Sequence, residues 1–312
     1  MRREHDKEDR RVIINGRTRP TAVIGWPIAQ SLSPVMHNAA YDALGLNWAC
    51  MPLGVPDQRA LLAFTEAARR LPFVGFNVTM PYKQAMLELC DEAASLAQLA
   101  GAVNTVHCVD GRLIGYNTDG RGMLESLEND AAFRPEGLSA VILGAGGAAG
   151  AALTALILGR ASSVTIINRT VERAEQLLIR VENNLRNTAA TAIPLDLSAA
   201  TPIREADIII NATPAGMSAS DPSPLPAEWL HEGQVVLDMV YQRPETALLR
   251  AAAVAGARPV NGLGMLVAQG ALAIDIWMGE AGGDVRAPRD VMRAAASAAL
   301  EVQYAPTGGD AS

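Results

Sequence analysis

Asn77, Thr79 and Lys83 put two hydrogen-bonding side chains and an ammonium into one short stretch, Gly75-Phe76-Asn77-Val78-Thr79-Met80-Pro81-Tyr82-Lys83, where an apolar strand gives way to a helix. In alternating strand geometry Asn77 and Thr79 point to the same side, so both face one space beside the lysine. Such a space suits a polyhydroxylated ligand. The same residues also suit a plain strand-to-helix junction, with Thr79 as a cap, Pro81 at the first helical position and Lys83 solvated in the first turn.

A second chemistry lies further on. Leu143-Gly144-Ala145-Gly146-Gly147-Ala148-Ala149 follows an apolar run and opens a helical one, the context in which G-x-G-x-x-A holds a dinucleotide. Gly144 permits the tight turn and Gly146 lets backbone N–H groups approach a pyrophosphate. Gly147 and Ala148 open a helix whose N-terminus favours anionic charge, and Ala149 allows close helix–strand packing. The next strand ends Asn168-Arg169-Thr170, with Arg173 one turn later. An NAD site would usually carry a carboxylate there; two guanidiniums and a hydroxyl suit the 2′-phosphate of NADP instead. Arg173 also reads as a surface helix residue. Asn211 to Met217, including Thr213, follows a buried strand and reads as a cofactor-facing loop or simply a turn.

These residues need an alternating scaffold. Expected strands are Thr21 to Gly25, Trp48 to Leu53, Phe73 to Val78, and a hairpin of Ala102 to Val109 with Arg112 to Tyr116 around Asp110-Gly111. Helices are expected from Ser33-Pro34 to Gly45, from about Pro56 to Arg70, from Pro81, and over Asp91 to Ala100. A helix over Gly120 to Asn129 leads to a loop with Pro135 and Gly137. Strands at Ser139 to Leu143, Val164 to Ile167, about Ala190 to Leu195, Asp207 to Asn211 and Val235 to Met239 then alternate with helices Gly147 to Leu158 and Val171 to Val181. That alternation predicts an α/β chain whose second part is a doubly wound parallel sheet. Helical runs over Leu263 to Met278 and Arg289 to Gln303 follow.

With 312 residues, two domains are expected, and 49% hydrophobic residues are ample for two cores. A net charge of −7 without a basic stripe argues against a nucleic-acid partner. The charged run Arg2 to Arg11 resembles neither a secretory signal nor an anchor and reads as a mobile tail; no apolar span suggests a membrane. Cys50, Cys90 and Cys108 lack any paired spacing and fit free thiols in a reducing cytoplasm. His5, His37, His107 and His231 show no metal spacing, so no metal is expected, and His37 reads as a packed or hydrogen-bonded helix residue.

Further motifs are Ile24-Gly25-Trp26-Pro27-Ile28 running to Ser31-Leu32-Ser33-Pro34 and His37-Asn38, then Gly101-Ala102-Val103-Asn104-Thr105, Asn117-Thr118-Asp119, and Asn261-Gly262-Leu263-Gly264-Met265-Leu266-Val267 with Gln269. With the Asn77 to Lys83 stretch, and in this order, they resemble shikimate dehydrogenases. The resemblance is specific in several of these motifs. It covers nearly the whole chain except the two ends. It implies a substrate-binding catalytic domain from residues 21–118 and 262–305, an inserted Rossmann-type NADP domain over 119–261, and tails at 1–20 and 306–312. It implies reversible reduction of 3-dehydroshikimate to shikimate with NADPH, in aromatic amino-acid precursor synthesis.

Lys83 and Asp119 match the family's catalytic pair, the lysine exchanging a proton with the substrate oxygen and Asp119 orienting it and binding a hydroxyl. Asp119 also suits an N-cap. By the same resemblance Ser31 and Ser33 bind the substrate carboxylate, and Ser33 before Pro34 doubles as an N-cap. Asn77, Thr79, Asn104, Asp119 and Gln269 contact ring hydroxyls, Tyr241 closes the site, and Gly262 joins Thr213 and Met217 on the cofactor side. Tyr41 and Ile274 stand where phenylalanine is common, and Pro244 is displaced by one position. Relatives include both monomers and dimers, which leaves a homodimer open. Rival readings are a quinate/shikimate dehydrogenase of broader substrate or NAD use, a relative acting on an aminated analogue, a non-catalytic NADP-binding sensor, and another two-domain dehydrogenase such as a methylenetetrahydrofolate enzyme. Ser31-x-Ser33 speaks against the last.

Overall fold

A computed structural model describes residues 14–184 and 187–304. The charged run Arg2 to Arg11, with His5, and the expected C-terminal tail lie outside the described residues. The expected N-terminal tail ends sooner than residue 20: Thr18 Oγ1 donates to Asn47 Oδ1 at 2.7 Å, and the first strand already starts at Arg19.

The first part of the chain runs β1 (Arg19–Gly25), α1 (Ser33–Leu44), β2 (Trp48–Gly54), α2 (Gln58–Arg70), β3 (Gly75–Val78), α3 (Lys83–Leu89), β4 (Glu92–Ala93), α4 (Ser95–Ala100), β5 (Thr105–Val109) and β6 (Arg112–Tyr116). These strands form one sheet in the order β2-β1-β3-β5-β6-β4. Strands β2, β1 and β3 are parallel, and the hairpin β5–β6 adds antiparallel pairs. The hairpin turns at Asp110 and Gly111, both at positive φ, as the Asp-Gly pair requires. Gly45 ends α1 in the left-handed region, its N–H returning to Asp42 and Tyr41 carbonyls.

Two local expectations change. The helix after β3 starts at Lys83 and not at Pro81, since Met80 to Tyr82 form a turn in which Tyr82 N donates to Thr79 O at 3.1 Å. The expected helix from Asp91 shortens to Ser95–Ala100. Glu92–Ala93 instead pairs in parallel with Ile114 and Gly115, completing the open edge of β6, while the Asp91 carboxylate accepts from Leu113 N and Arg69.

After α5 (Asp119–Ala131) come β7 (Ser139–Leu143), α6 (Gly147–Leu158), β8 (Ser163–Asn168), α7 (Val171–Val181), β9 (Ala189–Pro194), α8 (Ala200–Glu205), β10 (Ile208–Asn211), β11 (Val235–Asp238), α9 (Ala247–Val254) and β12 (Arg258–Asn261). Helices α8 and α9 and strand β12 were not anticipated. Every pairing is parallel, and the order β12-β11-β10-β7-β8-β9 reverses direction between β7 and β10. In such a doubly wound sheet ligands bind beyond the strand C-termini at that reversal.

The chain ends in α10 (Leu263–Met278) and α11 (Arg289–Tyr304). Both return to the first sheet's side: Met36, Tyr41, Trp48, Ile274, Trp277, Met292 and Leu300 share one buried cluster, and Trp277 Nε1 donates to Val106 O at 2.9 Å. Separate clusters cover the two faces of the second sheet. Helix α10 also crosses α5 closely. A methyl on Gly122 would stand 2.7 Å from Gln269 N and 2.8 Å from Gln269 Cβ, so the crossing needs glycine there.

Candidate active site

The strand-end position of β3 and the close α5–α10 crossing bring four polar side chains together. Lys83, first residue of α3, reaches Asp119, first residue of α5, with Nζ 2.7 Å from Oδ2. Their side chains are 19% and 5% exposed, so this ion pair is largely shielded from water. The other carboxylate oxygen accepts from Asn104 Nδ2 at 2.8 Å, and the same nitrogen lies 3.2 Å from Gln269 Oε1. A carboxylate buried this deeply is tolerable because both oxygens have charged or polar partners and it sits at a helix N-terminus.

Asp119 therefore does not cap α5 by its side chain. Ser33 does not cap α1 either: it is the first helical residue, and its N–H instead donates to Ser31 Oγ at 3.3 Å. Thr79 makes no side-chain cap on α3.

A cleft of about 230 Å³ opens beside the pair. Ser31, Ser33, Asn77, Thr79, Tyr241 and Gln269 line it together with Lys83 and Asp119. Asn104 does not. Its buried amide stands behind the wall, tied to Thr118, Asp119 and Gln269, so it acts on the cleft through the last two. Asn77 Nδ2 is used by Asn104 O and Thr105 Oγ1, whereas its buried Oδ1 has no partner among the described residues. That carbonyl oxygen keeps an unused acceptor capacity.

Ala148, Thr213, Met217 and Gly262 line the same cleft from the second sheet's side. Gly144 carries φ +103, which only glycine adopts readily, and Thr213 packs against it across the β7/β10 reversal. A methyl on Gly146 would meet nothing within 4 Å, so there is open space at the start of α6, whose first turn has no side-chain cap. Free N–H groups and an open approach fit a pyrophosphate. Gly147 seats α6 on the lysine: a methyl there would lie 3.3 Å from Lys83 Cβ.

Gly144, Gly146 and Gly147, with Asn168, Arg169, Thr170 and Arg173, lie outside the lining of this cleft, at the β7–α6 and β8–α7 junctions and in the first turns of α6 and α7. Asn168 Nδ2 closes that second turn on Thr170 O at 2.8 Å. Arg169 and Arg173 are exposed, and neither makes an ion pair among the described residues. They are available to an anion.

Sequence reasoning missed the apolar wall formed by Trp26, Met239, Met265 and Leu266, since such residues read as ordinary core. It also gave no role to Asp238, where the signal was present: a polar residue closes each of two neighbouring apolar strands, Asn211 on β10 and Asp238 on β11. Among the described residues no group of three or more His, Cys, Asp or Glu side chains could hold a metal, and no helix is long and apolar enough to cross a membrane. Cys50, Cys90 and Cys108 are free; burial pushes each thiol up to about 12.

A doubly wound sheet with a dinucleotide turn, facing a lysine–carboxylate pair across a small polar cleft, defines a two-domain oxidoreductase of the nicotinamide type. Comparison with known proteins narrows the class. Residues 23–106 match the shikimate dehydrogenase substrate binding domain, and residues 129–220 match shikimate / quinate 5-dehydrogenase. The chain is 45% identical to the shikimate dehydrogenase (NADP(+)) of Methanopyrus kandleri, over 91% of this chain and 97% of that protein. It is 42% identical to the one from Geobacter metallireducens, over 92% and 99%. The crystal structure of shikimate 5-dehydrogenase from Thermus thermophilus in complex with NADP(H) and shikimate aligns with a TM-score of 0.78 at 39% identity, covering 90% of this chain and 100% of that one. The chain belongs to the shikimate dehydrogenase family.

Proposed function

We propose that this chain catalyses the reversible NADPH-dependent reduction of 3-dehydroshikimate to shikimate, a step in aromatic amino-acid biosynthesis. The observation that carries the reading is the Lys83–Asp119 pair, 2.7 Å apart and shielded, on the wall of a small cleft that also exposes hydroxyl and amide groups. The relatives named as shikimate dehydrogenases (NADP(+)) and the solved complex with NADP(H) and shikimate support the same substrate and cofactor.

Residues 21–118 and 262–305 form the substrate domain in this reading, and residues 119–261 the NADP domain. The N-terminus of α6, with Gly144, Gly146, Gly147 and Ala148, holds the pyrophosphate. Arg169, with Asn168, Thr170 and Arg173, holds the 2′-phosphate through charge-assisted hydrogen bonds. Thr213, Met217 and Gly262 flank the nicotinamide side of the cleft. NADPH, when bound, supplies the hydride to the substrate carbonyl carbon.

The chain's own residues do the rest. Lys83 donates a proton from its ammonium to the carbonyl oxygen as that oxygen gains charge, and takes it back in the reverse direction. Asp119 holds Lys83 on target and accepts from a neighbouring substrate hydroxyl, with its second oxygen fixed by Asn104. Asn77 Oδ1, Thr79 and Gln269 take up further ring hydroxyls. Ser31 and Ser33 receive the substrate carboxylate beside the first turn of α1, and Tyr241 closes over it.

The free thiols fit a reducing cytoplasm as the site of action. A homodimer is part of the proposal and is checked by light scattering in solution. The reaction itself is tested by incubating the protein with 3-dehydroshikimate and NADPH and identifying the product by NMR. Shikimate is the expected product. Unchanged starting material, with folded protein that binds NADPH, contradicts the assignment.

A further inference from the structure

Asp238 closes β11, is fully buried, and does not line the cleft. Its carboxylate is nevertheless the meeting point of both loops that do. Oδ1 accepts from Asn211 Nδ2 at 2.9 Å and from Val240 N at 3.1 Å; Oδ2 accepts from Thr246 Oγ1 at 2.6 Å. Burial pushes this carboxyl upward, and the three hydrogen bonds oppose that shift.

Each partner holds a different piece of wall. Asn211 Oδ1 accepts from Thr213 N at 3.1 Å and Thr213 Oγ1 at 2.6 Å, and its Nδ2 also donates to Ala215 O at 3.0 Å, which shapes the loop running to Met217. Val240 and Thr246 bracket the loop that carries Tyr241, and Thr246 also anchors α9 by accepting from Leu249 N at 3.3 Å. The two loops touch again farther out. Arg243 Nε donates to Met217 O at 3.3 Å, and a methyl on Gly216 would come within 3.1 Å of Thr246 Cγ2.

We infer that Asp238 is a positioning residue that sets Thr213 and Met217 on the cofactor side and Tyr241 on the substrate side as one unit, so that the two binding sites are loosened or tightened together. The inference rests on the proposed function for the identity of the two ligands. The physical basis is the geometry: a shared acceptor fixes two loops, and small displacements of binding groups cost large factors in productive binding.

The test is steady-state kinetics with shikimate and NADP on the full chain, alongside thermal unfolding. Asp238→Ala is expected to raise KM for both shikimate and NADP, each by about tenfold, with a smaller effect on kcat. Asp238→Asn keeps an oxygen toward Asn211 and Val240 and offers an N–H to Thr246 Oγ1, and is expected to restore both KM values together. Should Asp238→Ala not fold, Thr246→Val removes one arm of the same network and should raise both KM values, with Thr246→Ser restoring them. A folded Asp238→Ala or Thr246→Val protein in which neither KM or only one of them moves overturns the inference, as does an Asn variant no better than the Ala variant. Wild-type protein that turns over shikimate with NADP isolates that failure. Wild-type protein that does not turn them over overturns the functional reading and this inference with it.

Discussion

Lys83 and Asp119 meet at 2.7 Å across the junction of the chain's two sheets, and Asn104 fixes the far oxygen of the same carboxylate at 2.8 Å. Each residue is the first of its helix, so both backbones are rigid where the side chains emerge. The pair is held in place by protein groups on both carboxylate oxygens. That preorganisation is what proton delivery to a developing alkoxide requires.

Replacing Lys83 by alanine should therefore lower kcat by about two orders of magnitude or more, the range expected for losing a positioned general acid. NADP affinity should hardly change. Titrating NADPH by fluorescence and measuring turnover on the same sample separates the two quantities. Intact turnover removes Lys83 from the chemistry.

Arg169→Ala should weaken NADP far more than NAD, because the exposed guanidinium at the end of β8 has no ion-pair partner among the described residues to occupy it. Dissociation constants for the two cofactors, measured at one ionic strength, check this. Equal losses for both place the 2′-phosphate elsewhere.

Gly122→Ala forces a methyl against Gln269 at the α5–α10 crossing, where both neighbours are backbone or backbone-proximal atoms. Such overpacking costs about 1–3 kcal/mol. Because Asp119 and Gln269 sit on these two helices, activity should fall together with the melting temperature. A variant of wild-type stability and rate would show that the helices can separate freely.

The dinucleotide turn and one wall of the cleft are legible in the sequence; the residues behind the cleft are not. Gly144 to Ala149 between an apolar strand and a helix left little room for another reading, since turn, packing and anion affinity all demand small residues at those places. The Asn77 to Lys83 stretch likewise marked one wall of the cleft. Asn104 reads in sequence as a ligand contact, and its bonds to Asp119 and Gln269 add a supporting part that its neighbours in the chain do not signal. Contacts between residues 165 positions apart in the chain, such as Asn104 with Gln269, have no local signature. Strands β4 and β12 were missed for a related reason: Glu92–Ala93 and Arg258–Asn261 are strands because a neighbouring edge needs hydrogen bonds, not because of their own composition.

His37 offers a pH signature. It is fully buried, bonded through Nδ1 to the Tyr41 hydroxyl at 3.2 Å, and burial lowers its pKa to about 3. Its Nε2 has no partner among the described residues. In the unfolded chain its pKa returns to about 6.5. The unfolded state thus binds the extra proton between those values, and stability present above about pH 6.5 is lost progressively as pH falls toward 3. Thermal midpoints of the wild type should drop more steeply between neutral and mildly acid pH than those of His37→Phe. Parallel pH slopes would mean that His37 does not contribute to acid lability.

The most direct measurement is the initial rate of nicotinamide reduction, followed by absorbance, with shikimate or quinate as substrate and NADP or NAD as acceptor. Shikimate with NADP is expected to be clearly the preferred pair by kcat/KM. A preference for quinate or for NAD, or no turnover with any pair by folded protein that binds NADP, contradicts it.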